Sequence, residues 1–200
     1  MPKHGAFDLD ALPTDELARL ATFASAERRR QFVLGRLAAR RLVGHQLELP
    51  PQDVEIEMGR DGAPNVQSGF LSIAHGGRGL AAVGVAAQAQ APIGVDAETV
   101  RTRHPRLAAR ILRPDESDVL DALGGESASS LTLLWALKES VLKGQRTGLR
   151  AGAQSVRLSI QSFSESDGTA AAESDRSGVW RLSFTRHGDL WLAVALANPA

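Results

Sequence analysis

The feature that most constrains the fold is a pattern that occurs once in each half of the chain. The stretch LSIAHGGRGLAAVGVA at 71–86 aligns without a gap with LSFTRHGDLWLAVALA at 182–197, and both read as strand, turn, strand. Two β-hairpins can match this well by chance. A true repeat predicts an α+β fold of two similar halves, 1–97 and 98–200, related by a pseudo-twofold axis. The seam near residue 97 would be concave, and both halves could supply residues to a site there.

Helical periodicity marks three further segments. Two helical stretches precede the first hairpin, with Thr14 and Ser25 as candidate N-caps. On the second of these helices, Arg36 and Arg40 fall on one stripe at about 100° per residue. The segment SSLTLLWALKESVLKGQ at 129–145 shows the clearest helical pattern in the chain. These helices would cover the hairpins and complete the α+β halves.

Strand and loop patterns fill the remaining chain. DVEIEM at 53–58 alternates as a strand does, and APIGVDAE contains a short apolar strand. Strands are also expected in SVRLSIQSF and in the segment that begins at Val179. The polar, low-complexity segment at 164–178 between them is predicted to be a loop.

Composition excludes several classes of function. Basic and acidic residues number 23 each, and this zero net charge argues against a nucleic-acid partner. The chain has no cysteine, so it has neither disulfides nor thiolate metal sites, and a reducing cytoplasm is the expected compartment. The five histidines lack zinc-binding spacing. No apolar secretory segment and no membrane span of about 18 residues is present, so we expect no membrane partner.

Two carboxylates stand one residue apart in IGVDAE. Residues i and i+2 of a strand point to the same side, so Asp96 and Glu98 would converge on one spot. Unpaired carboxylates repel, and a divalent cation such as Mg²⁺ removes that cost. The alternative is an ordinary strand that ends in a polar loop.

The helix around WALKESVLKG carries a second group of functional side chains. Trp135, Lys138, Glu139 and Lys143 fall broadly opposite the apolar arc of this helix. One interpretation is a third carboxylate for the cation, with two lysines for phosphate oxygens. The other is a half-buried tryptophan packed on lysine stems, with Glu139 and Lys143 as a common i,i+4 pair.

Taken together, the motifs resemble a known family. In order, the chain contains FVLGRLAARR, GRDGAP, LSIAHGG, IGVDAE and WALKESVLKGQRTGL over roughly residues 27–160. This series resembles the 4′-phosphopantetheinyl transferases of the surfactin type, which have two halves in one chain. The resemblance implies the phosphopantetheinyl transferase fold and transfer of phosphopantetheine from coenzyme A to a serine of an apo carrier protein, with release of adenosine 3′,5′-bisphosphate. A chain of this type is expected to act as a monomer.

The resemblance also implies roles for the paired motifs. Asp96, Glu98 and Glu139 would hold Mg²⁺, with Glu116 as a further candidate ligand and Mn²⁺ as an alternative ion. Glu139 and Lys143 would be catalytic, Glu139 by accepting the serine proton and Lys143 by contacting phosphate. No Walker or dinucleotide-binding glycine motif supports another phosphoryl transferase.

Coenzyme A contacts follow from the resemblance as well. The implied ligands of its phosphates are Arg36, Arg40, Arg60, His75, Lys138 and Lys143. Two departures from the family pattern affect this set. The loop that usually contains a lysine reads Gly62-Ala63-Pro64, so Arg60 would substitute, and the turn around His75 has Ala74 and Gly76 in place of serines.

The arginine-rich segment Arg101–Arg113 is a candidate docking surface for an acidic carrier protein. The alternative for this segment is a solvated helix. For the whole chain, the alternative function is a non-catalytic coenzyme A or carrier-protein binding module of the same fold. Fatty-acid, polyketide and non-ribosomal peptide carriers all remain open as partners.

Overall fold

The computed structural model describes residue 9 and residues 12–59, 61–67, 69–76, 80–87, 91–102 and 106–198. In this part of the chain, two antiparallel sheets are each packed against one long helix. The predicted mixed α+β fold class is therefore confirmed.

Two helices open the described chain, α1 at Thr14–Ala21 and α2 at Ala26–Leu47. Ser25 caps α2 as predicted, because its hydroxyl accepts a hydrogen bond from the Arg28 amide. The cap predicted at Thr14 is wrong. The chain turns helical one residue earlier than that prediction required, so Pro13 is the N-cap and Thr14 is already helical.

The first sheet follows α2 and has the strand order β1-β2-β3-β4. Its strands are β1 Glu57–Met58, β2 Pro64–Val66, β3 Gly69–Gly76 and β4 Leu80–Ala87. Val43 of α2 packs with Val54 and Leu71 in a core beneath this sheet. The strand predicted over 53–58 is reduced to β1, because the preceding Pro51–Asp53 segment forms a short 3₁₀ turn.

The second sheet has the order β5-β9-β8-β7-β6. Its strands are β5 Ile93–Thr99, β6 Val156–Phe163, β7 Asp167–Ser174, β8 Gly178–His187 and β9 Leu190–Ala197. Between β5 and β6 lie α3 Arg106–Ile111, α4 Ser117–Ala122 and α5 Ala128–Gly144. Leu137 of α5 belongs to the large core that also encloses Trp180 and Trp191. None of the described helices combines the length and apolar character needed to cross a bilayer.

The two aligned segments are both hairpins. Residues 71–86 lie in β3 and β4 with their connection, and residues 182–197 lie in β8 and β9 with theirs. Each hairpin follows a long helix and a preceding hairpin, α2 with β1–β2 and α5 with β6–β7. Residue 97 falls inside β5, which pairs with β9, so the boundary between the two sheets lies before β5.

The segment predicted to be a polar loop at 164–178 contains β7, so that prediction is wrong. Ala170 and Ala172 alternate with exposed or half-buried neighbours and are themselves buried in the core. Small side chains suffice for β7 to form a strand, because β6 and β8 pair with it on both edges and complete its backbone hydrogen bonds. The sequence Ala170-Ala171-Ala172 does not alternate in residue type, so the strand is visible only in the burial pattern.

Gly94 is the point at which β5 touches α5. A Cβ at this residue would overlap the carbonyl oxygen of Ser140 and lie 2.5 Å from the amide nitrogen of Gly144. Both atoms belong to the backbone of α5, which cannot move away as the end of a side chain can. The absence of a side chain at Gly94 therefore sets the distance between the strand and the helix.

We expect Gly94→Ala to lower the free energy of unfolding by about 3 kcal/mol or more, at the upper end of overpacking costs. Gly84→Ala is the matched control, because the added methyl group would meet the side-chain ends of Val95 and Ile93, which can move. Urea unfolding of both variants measures the difference. Equal stability of the two variants would contradict the backbone-contact interpretation.

Candidate active site

The contact between β5 and α5 brings the predicted carboxylates together. Gly94, Asp96 and Glu98 alternate along β5 and face the same side. Lys143 donates a hydrogen bond from Nζ to Asp96 Oδ1 at 2.5 Å. The indole Nε1 of Trp135, further back along α5, donates to Glu98 Oε1 at 3.2 Å. The strand and helix therefore meet through their backbones at Gly94 and through side chains at Asp96 and Glu98.

Glu139 lies one helical turn before Lys143 and completes the group. Its Oε2 atom is 4.0 Å from Lys143 Nζ. The side chains of Asp96 and Glu139 are 6% and 13% exposed, whereas that of Lys143 is 28% exposed. Lys143 therefore pairs with two largely enclosed carboxylates, and Glu98 lies two residues from Asp96 on the same face of β5. We call Asp96, Glu98, Glu139 and Lys143 the seam cluster.

Burial raises the pKa of two carboxyl groups in the seam cluster. For Asp96, burial is the largest effect on the pKa, Lys143 opposes it, and Glu98 adds to it. For Glu139, burial again raises the pKa most; Lys143 lowers it, and Asp96 and Glu98 raise it further. In both residues, burial and the neighbouring carboxylates outweigh the effect of Lys143 on the pKa.

The seam cluster has the donor chemistry of a Mg²⁺ site but is not closed into one. Asp96 Oδ2 is buried and has no hydrogen-bond partner among the described residues. Carboxylate oxygens are the ligands that Mg²⁺ prefers. Within the same residues, no group of three or more His, Cys, Asp or Glu side chains is arranged to hold a metal ion. A cation next to Asp96 would have to compete with the ammonium of Lys143.

Lys138 and Glu116 lie elsewhere, in the interior of the second half. Both side chains are 0% exposed, and Lys138 Nζ donates to Glu116 Oε2 at 2.5 Å and to the Ile111 carbonyl at 2.7 Å. Glu116 also accepts hydrogen bonds from the amides of Arg113 and Leu158. Such enclosure corrects the predicted roles of Lys138 in phosphate contact and Glu116 in metal binding. Desolvation lowers the pKa of Lys138, which Glu116 counteracts.

Arg36 and Arg40 form a buried cluster with Glu16 of α1. Glu16 Oε1 lies 3.4 Å from Arg36 Nε and 3.1 Å from Arg40 Nη1. One carboxylate against two guanidinium groups leaves a positive charge uncompensated. Arg36 Nη1 has no hydrogen-bond partner in the described part of the chain. Arg36 also lines a cavity, which fits its predicted contact with an anion, whereas Arg40 lies behind it against Glu16.

Two neighbouring cavities connect this cluster to the seam. The first, of about 200 Å³, is lined by Arg36 and His75 among others. The second, of about 310 Å³, is lined by Lys143 and Arg146 among others. Gly62, Pro64 and Ile73 line both. The two cavities therefore make one groove beside the loop Gly62-Ala63-Pro64; the predicted ligand Arg60 lies outside the described residues.

His75 stands at the first cavity, against Gly35 of α2. A Cβ at Gly35 would lie 2.7 Å from His75 Nε2, so the missing side chain makes room for the imidazole. Although the residue as a whole is exposed, desolvation lowers the pKa of His75; a backbone hydrogen bond at Gln31 opposes this effect, and Lys143 adds to it. The neutral imidazole can serve as a hydrogen-bond donor in the groove.

The arginine-rich segment Arg101–Arg113 is only partly described, since residues 103–105 lie outside the described part. Arg101 and Arg110 are exposed, and Ile111 anchors α3 in the core. Arg113 is engaged locally, with Nε donating to Asp115 and Nη1 to the Gln154 carbonyl. The exposed arginines of α3 thus belong to a helix that is fixed to the core at Ile111.

Comparison with known proteins decides the family. Residues 92–195, which include the seam cluster, match the family described as the 4′-phosphopantetheinyl transferase superfamily. The chain belongs to this superfamily. The resemblance seen in the sequence motifs is thereby confirmed.

Individual relatives extend the match beyond that region. The chain is 27% identical to the 4′-phosphopantetheinyl transferase Sfp of Bacillus subtilis (strain 168), over 100% of this chain and 93% of the relative. It is 28% identical to the 4′-phosphopantetheinyl transferase ffp of Bacillus subtilis, over 86% and 81%. It is 32% identical to the 4′-phosphopantetheinyl transferase HetI of a Nostoc species, over 74% and 65%.

Sequence reasoning missed one groove residue, Arg146, and one buried partner, Glu16. Glu16 has no motif, and only the fold brings α1 against Arg36 and Arg40. Arg146 lines the second cavity, and its Nη2 atom donates to Asn65 Oδ1 at 3.0 Å. The position of Arg146 just after Lys143 was an available signal, since both leave the end of the same helix.

The raised pKa of Glu139 predicts a pH dependence in the presence of EDTA. Its pKa in the folded state exceeds the ordinary value of 4.5, so the folded protein loses stability as pH rises through the folded-state pKa. Glu139→Gln removes this loss. We expect the variant to unfold at a higher temperature than wild type near pH 8 and to converge with it near pH 4.5.

Thermal unfolding followed from pH 4.5 to 8 measures this difference. Glu126→Gln, at an exposed position, is the matched control and is expected to follow wild type. A Glu139→Gln profile parallel to that of wild type would show that the carboxyl group does not carry a buried charge.

Proposed function

We propose that this protein is a Mg²⁺-dependent holo-carrier-protein synthase that uses coenzyme A. The serine oxygen of the carrier forms a bond to the phosphorus of the phosphopantetheine group, and the bond from that phosphorus to adenosine 3′,5′-bisphosphate breaks. The seam cluster beside the groove is the single observation that carries this proposal. Lys143 of this cluster lines the second cavity, which shares three lining residues with the cavity beside Arg36.

Asp96, Glu98 and Glu139 are the proposed ligands of Mg²⁺. When bound, Mg²⁺ supplies charge neutralisation at the diphosphate of coenzyme A. The partnerless Oδ2 atom of Asp96 supports this assignment, since a buried carboxylate oxygen needs a counterpart. Lys143 then turns from Asp96 towards a phosphate oxygen, which its partial exposure permits.

Glu139 is the proposed acceptor of the serine proton. A carboxylate with a raised pKa is a stronger base than one in water, which suits proton abstraction near neutral pH. Arg36 and His75 are the proposed contacts of coenzyme A at the other end of the groove. Arg60 remains a proposed contact on sequence grounds alone.

The exposed arginines of α3 are the proposed docking surface for an acidic carrier protein. Arg106 and Arg110 are one helical turn apart and share a face of α3. Opposite charge steers such an encounter and fixes its orientation. Since one chain supplies every residue of the groove and seam cluster, we propose that it acts as a monomer, with cytoplasmic carriers as substrates.

Intact-mass spectrometry of apo carrier proteins tests the proposed reaction. Incubation with the protein, coenzyme A and Mg²⁺ should add one phosphopantetheine group, and EDTA should prevent it. We expect Asp96→Asn to slow this transfer about 100-fold or more while the protein stays folded, because the variant loses the charged ligand that would hold Mg²⁺ at the diphosphate.

Asp121→Asn, at an exposed position of α4, is the matched control for that variant. Wild-type turnover by Asp96→Asn would exclude the seam cluster as the catalytic centre. Coenzyme A binding without transfer to any carrier would instead favour the non-catalytic binding module, for which the missing loop lysine at Ala63 is the supporting observation.

The docking proposal predicts a selective effect on the carrier. Arg110→Glu should raise the KM for an acidic carrier about tenfold, a loss of ~1.4 kcal/mol, and leave the KM for coenzyme A unchanged. Arg181→Glu reverses an exposed charge on β8 and serves as the control. Steady-state kinetics at low and high salt measure both constants. Equal effects of the two substitutions would count against α3 as the docking surface.

A further inference from the structure

Arg146 holds a backbone conformation that arginine rarely adopts. Its φ is 59°, and Glu48 is the other non-glycine residue with positive φ among those described. Beyond the end of α5, the Arg146 amide donates to the Lys143 carbonyl and the Thr147 amide to the Leu142 carbonyl. This pair of bonds is the Schellman pattern, in which the position of Arg146 favours glycine. The side chain is thus present despite a local backbone cost.

The guanidinium of Arg146 lies in the groove next to Lys143. It lines the 310 Å³ cavity together with Ala63, Pro64 and Lys143. Its Nη2 atom donates to Asn65 Oδ1, a neutral acceptor on β2 of the opposite sheet. Within the described residues no carboxylate forms an ion pair with it. A cationic side chain with several N–H donors therefore faces the same cavity as Lys143.

The loop Gly62-Ala63-Pro64 lines the same cavity, and its middle residue, Ala63, is not cationic. Asp61 Oδ1 accepts the Ala63 amide at 3.1 Å, which fixes the turn, and Ala63 presents only a methyl group. Asp61 also lines the cavity and makes it less positive. An anion held here therefore needs a cation from another element, and Arg146 is the guanidinium placed to supply it.

We propose that Arg146 is a phosphate ligand for coenzyme A that replaces the cation missing from the loop Gly62-Ala63-Pro64. This inference rests on the proposed function. The planar guanidinium of Arg146 can bind two phosphate oxygens at once. Because Arg146 lies beside Lys143, we assign it to the diphosphate end of the substrate. The backbone conformation at Arg146 is then a local cost retained for binding.

A purely structural role is the competing explanation, with Arg146 joining the two sheets through Asn65. The two explanations differ for Asn65→Ala. This variant removes the link but keeps the guanidinium, so a phosphate ligand predicts that coenzyme A binding stays within about twofold of wild type. A structural link predicts that Asn65→Ala and Arg146→Gly weaken binding alike.

Calorimetric titration with coenzyme A and thermal unfolding together test the proposal. Arg146→Gly should keep or raise the unfolding temperature, because glycine suits the left-handed backbone, while the Kd for coenzyme A rises about tenfold or more. Adding Ala63→Lys to Arg146→Gly should restore much of the lost affinity from the opposite side of the cavity. Arg146→Asn, which also tolerates this backbone, repeats the comparison if the glycine variant folds poorly.

Three outcomes would overturn the proposal. They are unchanged coenzyme A affinity in Arg146→Gly, an equal loss of affinity in Asn65→Ala, and failure of Ala63→Lys to restore any affinity. The outcome for the proposed function is separate. If wild type itself does not bind coenzyme A, the proposed function fails, whereas normal binding by wild type and Arg146→Gly alike removes only the role of Arg146.

Discussion

The close approach of β5 to α5 at Gly94 is the constraint on which the rest of the site depends. A side chain at Gly94 would meet the backbone of Ser140 and Gly144, and a side chain at Gly144 would meet Trp180. The backbones of strand and helix can therefore approach this closely because Gly94 has no side chain. Because side chains alternate along β5, Asp96 and Glu98 face α5 on the same side as Gly94. Packing of backbone against backbone is thus what turns two sequence motifs into one site.

The electrostatics of the seam follow from the same contact. Asp96 is removed from water on the inner side of β5, where Lys143 donates a hydrogen bond to its Oδ1 atom. Among the described residues Asp96 Oδ2 has no hydrogen-bond partner, and burial raises the pKa of Glu139. A divalent cation would supply the missing contact of Asp96 and offset the charge of a diphosphate substrate.

Sequence reasoning predicted what depends on local pattern and missed what depends on packing partners. The paired hairpins, the cap at Ser25 and the convergence of Asp96 with Glu98 follow from turn chemistry and strand alternation. The place of Lys138 did not follow, because a helical wheel cannot show that Glu116, the residue just before α4, packs against it. β7 was missed because its buried residues are small, and Glu16 because its arginine partners are distant in sequence.

Thermal unfolding with and without Mg²⁺ tests the central claim, that the seam cluster is a cation site, most directly. Protein stripped with EDTA serves as the reference, and Asp96→Asn as the variant that removes the partnerless oxygen's charge. Because a ligand that binds only the folded state stabilises it, Mg²⁺ should raise the unfolding temperature of wild type and leave Asp96→Asn nearly unchanged. An equal shift in both proteins, or no shift in wild type at millimolar Mg²⁺, would contradict the account.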